Sequence, residues 1–246
     1  MGMWSELELA GHTCCVFEPD APSPHGYTLL YLHGIHGGRL EDHDTFTEQF
    51  DRHGLRVIGP LTGPSWWADK IFRQFDSQIT PQRYVMDVVV PHCHQVWGAQ
   101  PPRIGLLGTS MGGQGALRIA FKHPDTFPVV AALSPAIDFQ SRWEEGDATL
   151  RAWYPDAESA RQDTATLHIH PLYWPRHIYF ACDPTDVPWH LSADRLHMKL
   201  AALGIPHETD LATEAGGHGF PYYNVMAERA IGFLAEQLDR ERRRVV

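Results

Sequence analysis

One serine of the chain stands in a setting that favours covalent chemistry. Residues 108–113 read Gly-Thr-Ser-Met-Gly-Gly, which places Ser110 in the pattern G-x-S-x-G. An apolar stretch, 103–107, precedes the pattern, and a helix-forming stretch, 114–122, follows it. In a tight turn between a strand and a helix, side chains two residues from the serine would collide, and glycines avoid that collision. The spacing therefore predicts a nucleophile elbow that holds the Ser110 hydroxyl above the edge of a sheet.

A serine hydroxyl is a weak nucleophile unless a base takes its proton during attack. After the next-to-last predicted strand the chain has four histidines: His190, His197, His207 and His218. The first three fall inside or at the start of predicted helices and strands. His218 lies in a glycine-rich loop, 216–219, directly after the last predicted strand. Its small neighbours let the imidazole reach Ser110, and the order serine, aspartate, histidine along the chain also favours His218 as the general base.

The imidazole in turn needs a carboxylate that fixes its tautomer and stabilises its charged form. Asp183 and Asp186 follow the predicted strand 177–181, and Asp138 follows the strand before it. Asp183 precedes a proline, which favours an extended backbone and suits an aspartate that caps a turn. We therefore prefer Asp186 as the partner of His218 and keep Asp183 and Asp138 as alternatives.

The tetrahedral intermediate of acyl transfer carries an oxyanion, and two hydrogen-bond donors must be in place to receive it. The backbone N–H of Met111, at the start of the elbow helix, is the first candidate. The second is expected in the loop after the predicted strand 27–32, where the N–H of Ile35 is preferred to that of Gly34. His33 is interpreted as a brace for this loop.

These candidates require a sheet whose loops meet at one edge, and the pattern of the chain predicts one. Segments 6–9 and 13–17 alternate in polarity and indicate an opening antiparallel hairpin. From residue 28 onward strands and helices alternate, which is typical of a mostly parallel sheet with helices on both faces. Pro91 should bend or interrupt its helix. The predicted strands are 27–32, 55–58, 103–107, 127–133, 177–181 and 207–211, and the predicted helices are 44–53, 80–97, 114–122, 191–203 and 222–239.

Two long segments without a regular pattern carry several tryptophans. Residues 59–76 form a loop of a length that seldom lacks a role. Residues 138–175 are expected to be irregular and polar, an insertion that folds over the sheet edge as a partial lid. Five aromatic residues are candidates for the substrate pocket: Trp66, Trp67, Trp143, Trp153 and Phe220. Aromatic rings line pockets well, so they favour a substrate that is small or aromatic on its acyl side.

Composition narrows the class of protein. The 246 residues fit one α/β domain, and their net charge of -10 disfavours nucleic acids and anionic membranes as partners. No apolar run is long enough to span a bilayer, and residues 1–12 lack the profile of a signal peptide. The four cysteines have no spacing that suggests a disulfide framework, so a cytoplasmic protein with reduced thiols is expected. The oligomeric state stays open, with a homodimer among the options.

Sixteen histidines also raise the question of a metal site. The closest pairs are His92 with His94 and His168 with His170, and neither has the i, i+4 helical spacing of a common zinc motif. No C-x-x-C pattern accompanies them. We expect no metal and no cofactor.

Several stretches of the chain are similar to those of a known family: YLHGIHGG, SWW, YVMDVVVPHC, GTSMGGQGALRIAFKHPDTF, LSPAIDF and GGHGFPYY. Over about residues 27–235 the chain resembles the esterase D family of α/β-hydrolases. That family includes S-formylglutathione hydrolases, feruloyl and acetyl-xylan esterases, enterobactin esterases and the antigen 85 mycolyltransferases. The resemblance implies an α/β-hydrolase fold, with the nucleophile at Ser110, the base at His218, the acid at Asp186 and the oxyanion donors at Ile35 and Met111. The chain departs from the family at Thr109, where a histidine is common, and at Asp183, where a glycine is common.

The sequence thus predicts a serine carboxylesterase that works through an acyl-enzyme intermediate. Ser110 would attack the ester carbonyl, His218 would take and return the proton, and water would release the acid. Transfer of the acyl group to an alcohol at the same site is the first alternative. A non-catalytic binding protein on the same fold is the second, and a complete Ser–His–Asp set disfavours it because binding needs no such set.

Overall fold

The architecture is a mixed, mostly parallel sheet, described here for residues 2–244 from a computed structural model. The strands are β1 (Met3–Leu9), β2 (His12–Glu18), β3 (Thr28–Leu32), β4 (Arg56–Pro60), β5 (Ile104–Thr109), β6 (Val129–Leu133), β7 (His177–Ala181) and β8 (Glu208–Asp210). They form one eight-stranded sheet in the order β1-β2-β4-β3-β5-β6-β7-β8. The β1–β2 and β2–β4 pairs are antiparallel, and the other pairs are parallel. The predicted opening hairpin and parallel sheet are confirmed.

Helices cover both faces of this sheet. They are α1 (Asp44–Arg52), α2 (Pro81–Tyr84), α3 (Val90–Trp97), α4 (Met111–Lys122), α5 (Phe139–Glu144), α6 (Ala148–Trp153), α7 (Ala157–Gln162), α8 (Val187–Ala202) and α9 (Phe220–Arg243). Alternate residues of β3 belong to different buried clusters, because successive side chains of a strand point to opposite faces. Leu30 and Leu32 join the cluster beneath α4 and α8, whereas Leu29 and Tyr31 join the cluster beneath α1 and α9. Within residues 2–244, no helix is both long and apolar enough to cross a bilayer.

The register of the parallel strands brings their carboxyl ends to one edge. Leu32 of β3 lies opposite Gly108 of β5, and the next residue of β5, Thr109, lies opposite Leu133 of β6. The row continues through β7 and ends at Asp210 of β8. The loops that follow β3, β5, β7 and β8 therefore start side by side, and these loops carry the predicted site residues.

Pro91 perturbs its helix without breaking it. Helical backbone runs from Pro81 to Trp97, but the turn over Val85–Val89 is a wider π-type turn. A proline lacks the N–H of a regular helix and its ring crowds the carbonyl four residues earlier, so a wider turn directly before it relieves that conflict. Thr80 caps the start of the helix by accepting the Arg83 amide at 3.1 Å.

The segment 138–175 is more regular than expected, so its prediction as irregular is wrong. It contains α5, α6 and α7, and each begins after an aspartate that accepts an amide of the first turn: Asp138, Asp147 and Asp156. These helices are too short to show a periodic pattern in the sequence. Phe139, Leu150 and Tyr154 are buried in the main core. That the segment acts as a lid stays a prediction.

Candidate active site

The turn around Ser110 has the strained geometry that the glycine spacing predicts. Ser110 lies between β5 and α4 with φ of 53° and ψ of -119°, a conformation that side-chain-bearing residues rarely adopt. A Cβ atom on Gly112 would lie 1.8 Å from the carbonyl oxygen of Leu32. One on Gly108 would lie 2.1 Å from the carbonyl oxygen of Gly112. Both glycines are therefore required by close backbone contacts, and the Ser110 amide anchors the turn by donating to Leu133 at 2.9 Å.

Three predicted residues from three separate loops form one hydrogen-bonded chain. The Nε2 atom of His218 lies 2.8 Å from the Oγ atom of Ser110, and its Nδ1 atom lies 2.6 Å from Oδ2 of Asp186. The carboxylate of Asp186 is almost fully buried, so it holds the proton on Nδ1 and leaves the lone pair of Nε2 facing the serine. In this tautomer His218 can accept the proton of the Ser110 hydroxyl.

The Asp186 carboxylate has a second neighbour in the thiol of Cys182, whose sulfur lies 3.8 Å from Oδ2. Burial raises the pKa of this thiol, so it stays protonated and can donate weakly to the carboxylate. All four cysteines are free and buried. The sulfur thus belongs to the protected surroundings of Asp186.

Asp183 holds the histidine loop in place instead of contacting the imidazole. Its Oδ2 atom accepts the amides of Ala215 at 2.7 Å and Gly217 at 2.9 Å. Its Oδ1 atom accepts the amide of Thr185 at 2.8 Å and the Thr185 hydroxyl at 2.6 Å. Burial by itself raises the pKa of Asp183, but these hydrogen bonds outweigh it and lower the pKa from 3.8 to about 2. The predicted turn cap is therefore also a long-range brace between the loops that carry Asp186 and His218.

The other candidates have different partners. Asp138 caps α5 and pairs with Arg195 at 3.3 Å. His190 lies 3.0 Å from the carbonyl oxygen of Leu211, and the rings of His197 and His207 are joined to each other at 2.8 Å. In the described residues, 2–244, no group of three or more His, Cys, Asp or Glu side chains is arranged to hold a metal ion.

The two predicted oxyanion donors border the same pocket as Ser110. Ile35 and Met111 both line it, and neither of their amides donates to another atom of residues 2–244. Met111 is the first residue of α4, so its N–H lies at the positive end of the helix dipole. A Cβ atom on Gly34 would lie 3.3 Å from that of Ser110, which shows how closely this loop approaches the nucleophile. Both donors are free to receive a developing oxyanion.

His33 braces the loop that carries Ile35. Its Nδ1 atom donates to the Gly34 carbonyl at 2.7 Å, and its Nε2 atom accepts the Thr62 amide at 3.0 Å. Burial lowers the pKa of His33, which keeps the ring neutral and allows it to donate with one nitrogen and accept with the other. The indole of Trp67 donates to the His33 carbonyl at 3.1 Å. The loop is thus held from both of its sides.

A pocket of about 390 Å³ opens over Ser110 and His218. Most of its wall is apolar, formed by Ile35, Trp66, Met111, Trp189, Phe220 and Tyr223. Two of the five predicted aromatic residues, Trp66 and Phe220, border it. Its size lies in the lower part of the range for small-molecule sites.

Three predicted pocket residues lie elsewhere, and this part of the prediction is wrong. Trp67 is fully buried behind the loop of His33 and packs on the elbow helix. Trp143 donates to the Tyr154 carbonyl at 3.0 Å, and Trp153 donates to the Ile71 carbonyl at 3.0 Å. These indoles serve to pack the segment 138–175 against itself and against the loop 59–76.

Tyr223 is a neighbour of the triad that the sequence reasoning missed. Its hydroxyl lies 3.3 Å from Nε2 of His218, and the residue is only 3% exposed. Burial raises its pKa, so the hydroxyl remains protonated. The available signal was its position five residues after His218 in a helix that begins with Phe220, because the first turn of such a helix returns towards the loop.

The sequence of this chain matches the profile of the family described as "Putative esterase" over residues 68–222. The match covers more than half of the chain. The chain belongs to this esterase family. No curated protein matches the sequence.

Solved structures of similar fold include serine hydrolases and esterases. A fluorophosphonate-binding serine hydrolase F of Staphylococcus aureus matches with a TM-score of 0.75 at 17% identity, covering 95% of this chain and 98% of that one. An S-formylglutathione hydrolase of Agrobacterium tumefaciens matches with a TM-score of 0.69 at 19% identity, covering 96% and 94%. A ferulic acid esterase matches with a TM-score of 0.73 at 14% identity, covering 96% and 98%. At these identities the likeness establishes the α/β-hydrolase fold of this esterase-family chain.

Proposed function

We propose that this esterase-family protein is a serine carboxylesterase that hydrolyses small or aromatic esters through an acyl-enzyme intermediate. The observation that carries the proposal is the hydrogen-bonded chain from Ser110 through His218 to Asp186, which opens into an apolar pocket. Such a chain activates a serine that is otherwise unreactive. Its position beside two free backbone donors suits acyl transfer.

The geometry of the site supports the following acylation step. Oγ of Ser110 forms a bond to the ester carbonyl carbon while Nε2 of His218 takes the hydroxyl proton. The carbonyl π electrons move to its oxygen, and the amides of Ile35 and Met111 donate to that oxyanion. When the intermediate collapses, the bond to the alcohol oxygen breaks, and His218 gives its proton to the leaving alcohol. Asp186 stabilises the imidazolium that exists in between.

Deacylation repeats these events with water. Nε2 of His218 takes a proton from the water as its oxygen attacks the acyl carbon, and the same two amides receive the second oxyanion. The bond between this carbon and Oγ of Ser110 then breaks, and the serine regains the proton from His218. The carboxylic acid leaves, and no cofactor takes part in either half of the cycle.

The wall of the pocket supports a compact substrate. Trp66, Trp189 and Phe220 present aromatic surface, and a volume of about 390 Å³ suits a short acyl chain or one aromatic ring. The ferulic acid esterase among the similar folds bears a name that agrees with an aromatic acyl group. Long-chain lipid esters fit this proposal poorly.

The test is a panel of p-nitrophenyl esters from acetyl to lauroyl, with methyl ferulate alongside. We expect turnover of acetyl, butyryl or feruloyl esters and little turnover of lauroyl esters. Ser110→Ala should lower kcat by ~10³-fold or more without a loss of Tm. The exposed Ser77 supplies the matched control, since Ser77→Ala should keep full activity.

Each alternative has its own outcome. No turnover of any ester by the wild type would favour a binding protein. Faster release of p-nitrophenol on addition of an alcohol, with formation of the new ester, would favour acyl transfer. Undiminished activity of Ser110→Ala would contradict the proposed nucleophile.

A further inference from the structure

Charge is distributed unevenly around the pocket. The chain as a whole carries a net charge of -10, yet no aspartate or glutamate is among the residues that line the pocket. One arginine, Arg142 of α5, borders it. A permanent cation beside an apolar cavity attracts an anionic group more strongly than it would in water, because the surrounding dielectric is low.

The guanidinium of Arg142 is held beside the aromatic wall. It lies over the ring of Trp189 at 5.7 Å, and Trp189 also lines the pocket. One terminal nitrogen pairs with Glu145, and the other lies 4.0 Å from Asp147. Asp147 also accepts the indole N–H of Trp66 at 3.3 Å. The cation thus contacts Trp189 directly and is linked to Trp66 through Asp147.

One nitrogen of the guanidinium has no partner. The Nε atom of Arg142 is buried and makes no hydrogen bond with any atom of residues 2–244. A buried polar donor without an acceptor is unfavourable, and such groups in native proteins call for an explanation such as a ligand. The side chain of Arg142 is 29% exposed, so a small shift would bring this N–H to an oxygen atom of a bound substrate, which would supply the missing acceptor.

The two neighbouring carboxylates offset only part of this charge on the side of the pocket. The side chain of Glu145 is 54% exposed, so solvent screens it. Asp147 caps α6 by accepting the Leu150 amide at 2.9 Å and accepts the Trp66 indole as well, so its oxygens are engaged by other donors. Neither carboxylate lines the pocket.

We propose that Arg142 forms an anion subsite of the pocket and that the substrate is an ester bearing a carboxylate on its acyl or its alcohol part. This inference rests on the proposed esterase function and narrows its substrate class. The carboxylate accepts from Nε of Arg142, while the apolar part of the substrate lies against Trp66 and Trp189. The ester carbonyl then lies at Ser110.

Two matched pairs of esters test the inference and distinguish the two sides of the substrate. For the alcohol side they are 4-acetoxybenzoate and the uncharged 4-acetoxybenzamide. For the acyl side they are the mono-4-nitrophenyl ester of adipic acid and its uncharged amide, 4-nitrophenyl adipamate. In at least one pair we expect wild-type kcat/KM to be about 10- to 100-fold higher for the carboxylate, the range expected for a charge-assisted hydrogen bond.

The variants assign that preference to one side chain. Arg142→Gln should bring the ratio of kcat/KM within the preferred pair close to one. Arg142→Lys keeps the charge but loses Nε, so it should retain only part of the preference. Arg151→Gln is the matched control, because Arg151 lies on the neighbouring helix over the ring of Trp143 at 5.2 Å but does not line the pocket. It should leave the ratio unchanged.

The outcomes separate this inference from the proposed function. Equal wild-type turnover of both members of both pairs would overturn the anion subsite and leave the esterase intact. A preference that survives in Arg142→Gln, or that falls equally in Arg151→Gln, would also overturn it. If no ester is turned over, calorimetric binding of 4-acetoxybenzoate and 4-acetoxybenzamide to Ser110→Ala still tests the anion subsite. Equal affinities for the two compounds would refute the subsite. A preference for the carboxylate that depends on Arg142 would support it.

Discussion

Asp183 and Asp186 have different roles in this structure, and replacing each with asparagine should separate these roles. Asp186 contacts Nδ1 of His218 at 2.6 Å, whereas Asp183 binds backbone groups of the neighbouring loop. Both substitutions keep the shape of the side chain and remove its charge. The expected effects are a loss of rate for one variant and a loss of stability for the other.

The magnitude for Asp183→Asn follows from the hydrogen bonds that are lost. The carboxylate accepts four hydrogen bonds, two at each oxygen. An amide group retains one acceptor oxygen and turns an NH₂ group towards the other two donors. If the NH₂ faces Thr185, the Thr185 hydroxyl can rotate to accept, but the Thr185 amide loses its acceptor. The lost hydrogen bond and the lost charge assistance cost about 1.5–3 kcal/mol, which corresponds to a fall in Tm of about 3–12 °C for a domain of this size.

The pH dependence of stability gives a second test of the stabilising role of Asp183. Because the pKa of Asp183 is lowered from 3.8 to about 2 in the folded protein, the unfolded state binds the proton first as the solution is acidified. The contribution of Asp183 to the free energy of unfolding is therefore fully present above about pH 4 and is lost as the pH falls through about 2. Asp183→Asn should lack this acid-sensitive component, and urea unfolding at several pH values measures it.

For Asp186→Asn the expected loss is in kcat. An asparagine can donate its N–H to Nδ1 of His218, which moves the ring proton to Nε2 and removes the acceptor that Ser110 needs. By analogy with the aspartate-to-asparagine change in the triad of serine proteases, kcat should fall by up to ~10⁴-fold, with a small change in Tm. Ester hydrolysis and thermal unfolding of both variants form the assay. A greater loss of kcat in Asp183→Asn than in Asp186→Asn would refute this division of roles.

Two further changes test the elbow and the missed tyrosine. Gly112→Ala would force a Cβ atom to 1.8 Å from the Leu32 carbonyl oxygen, so both Tm and activity should fall, with an overpacking cost of at least ~1–3 kcal/mol. The control is Gly232→Ala in α9, where a Cβ atom meets nothing within 4 Å. This control should be neutral or slightly stabilising. Tyr223→Phe removes a hydroxyl 3.3 Å from Nε2 of His218 and should lower kcat about 3- to 10-fold with little change in KM. An unchanged kcat would reduce Tyr223 to a packing role.

Local chemistry made a large part of the molecule predictable. The turn at Ser110 could be recognised from five residues, because a Cβ atom on Gly108 would clash with the backbone of Gly112 in the same turn; the clash that requires Gly112 involves Leu32 of the neighbouring strand. The alternation of strands and helices follows from periodicity, which each segment carries by itself. The chain order and the loop glycines also singled out His218 among four histidines. The structure brings that residue to the serine as expected.

What local chemistry could not decide was which side chains meet. The proline after Asp183 favoured Asp186 as the partner of the His218 ring, but that Asp183 braces the loop of His218 depends on the pairing of β7 with β8. Trp66 and Trp67 are adjacent and both have positive φ, yet one ring borders the pocket and the other is buried behind it. The helices of residues 138–175 were too short for their periodicity to be read.

Arg142 illustrates the same limit most clearly. In the sequence it is one arginine among many polar residues of a segment without pattern, and nothing local distinguishes it from Arg151. Its place beside the pocket depends on how α5 packs against Trp66 and Trp189, which are 76 residues before it and 47 residues after it in the chain. A sequence specifies local turns through short-range sterics, whereas the composition of a pocket depends on long-range packing, to which every segment contributes at once.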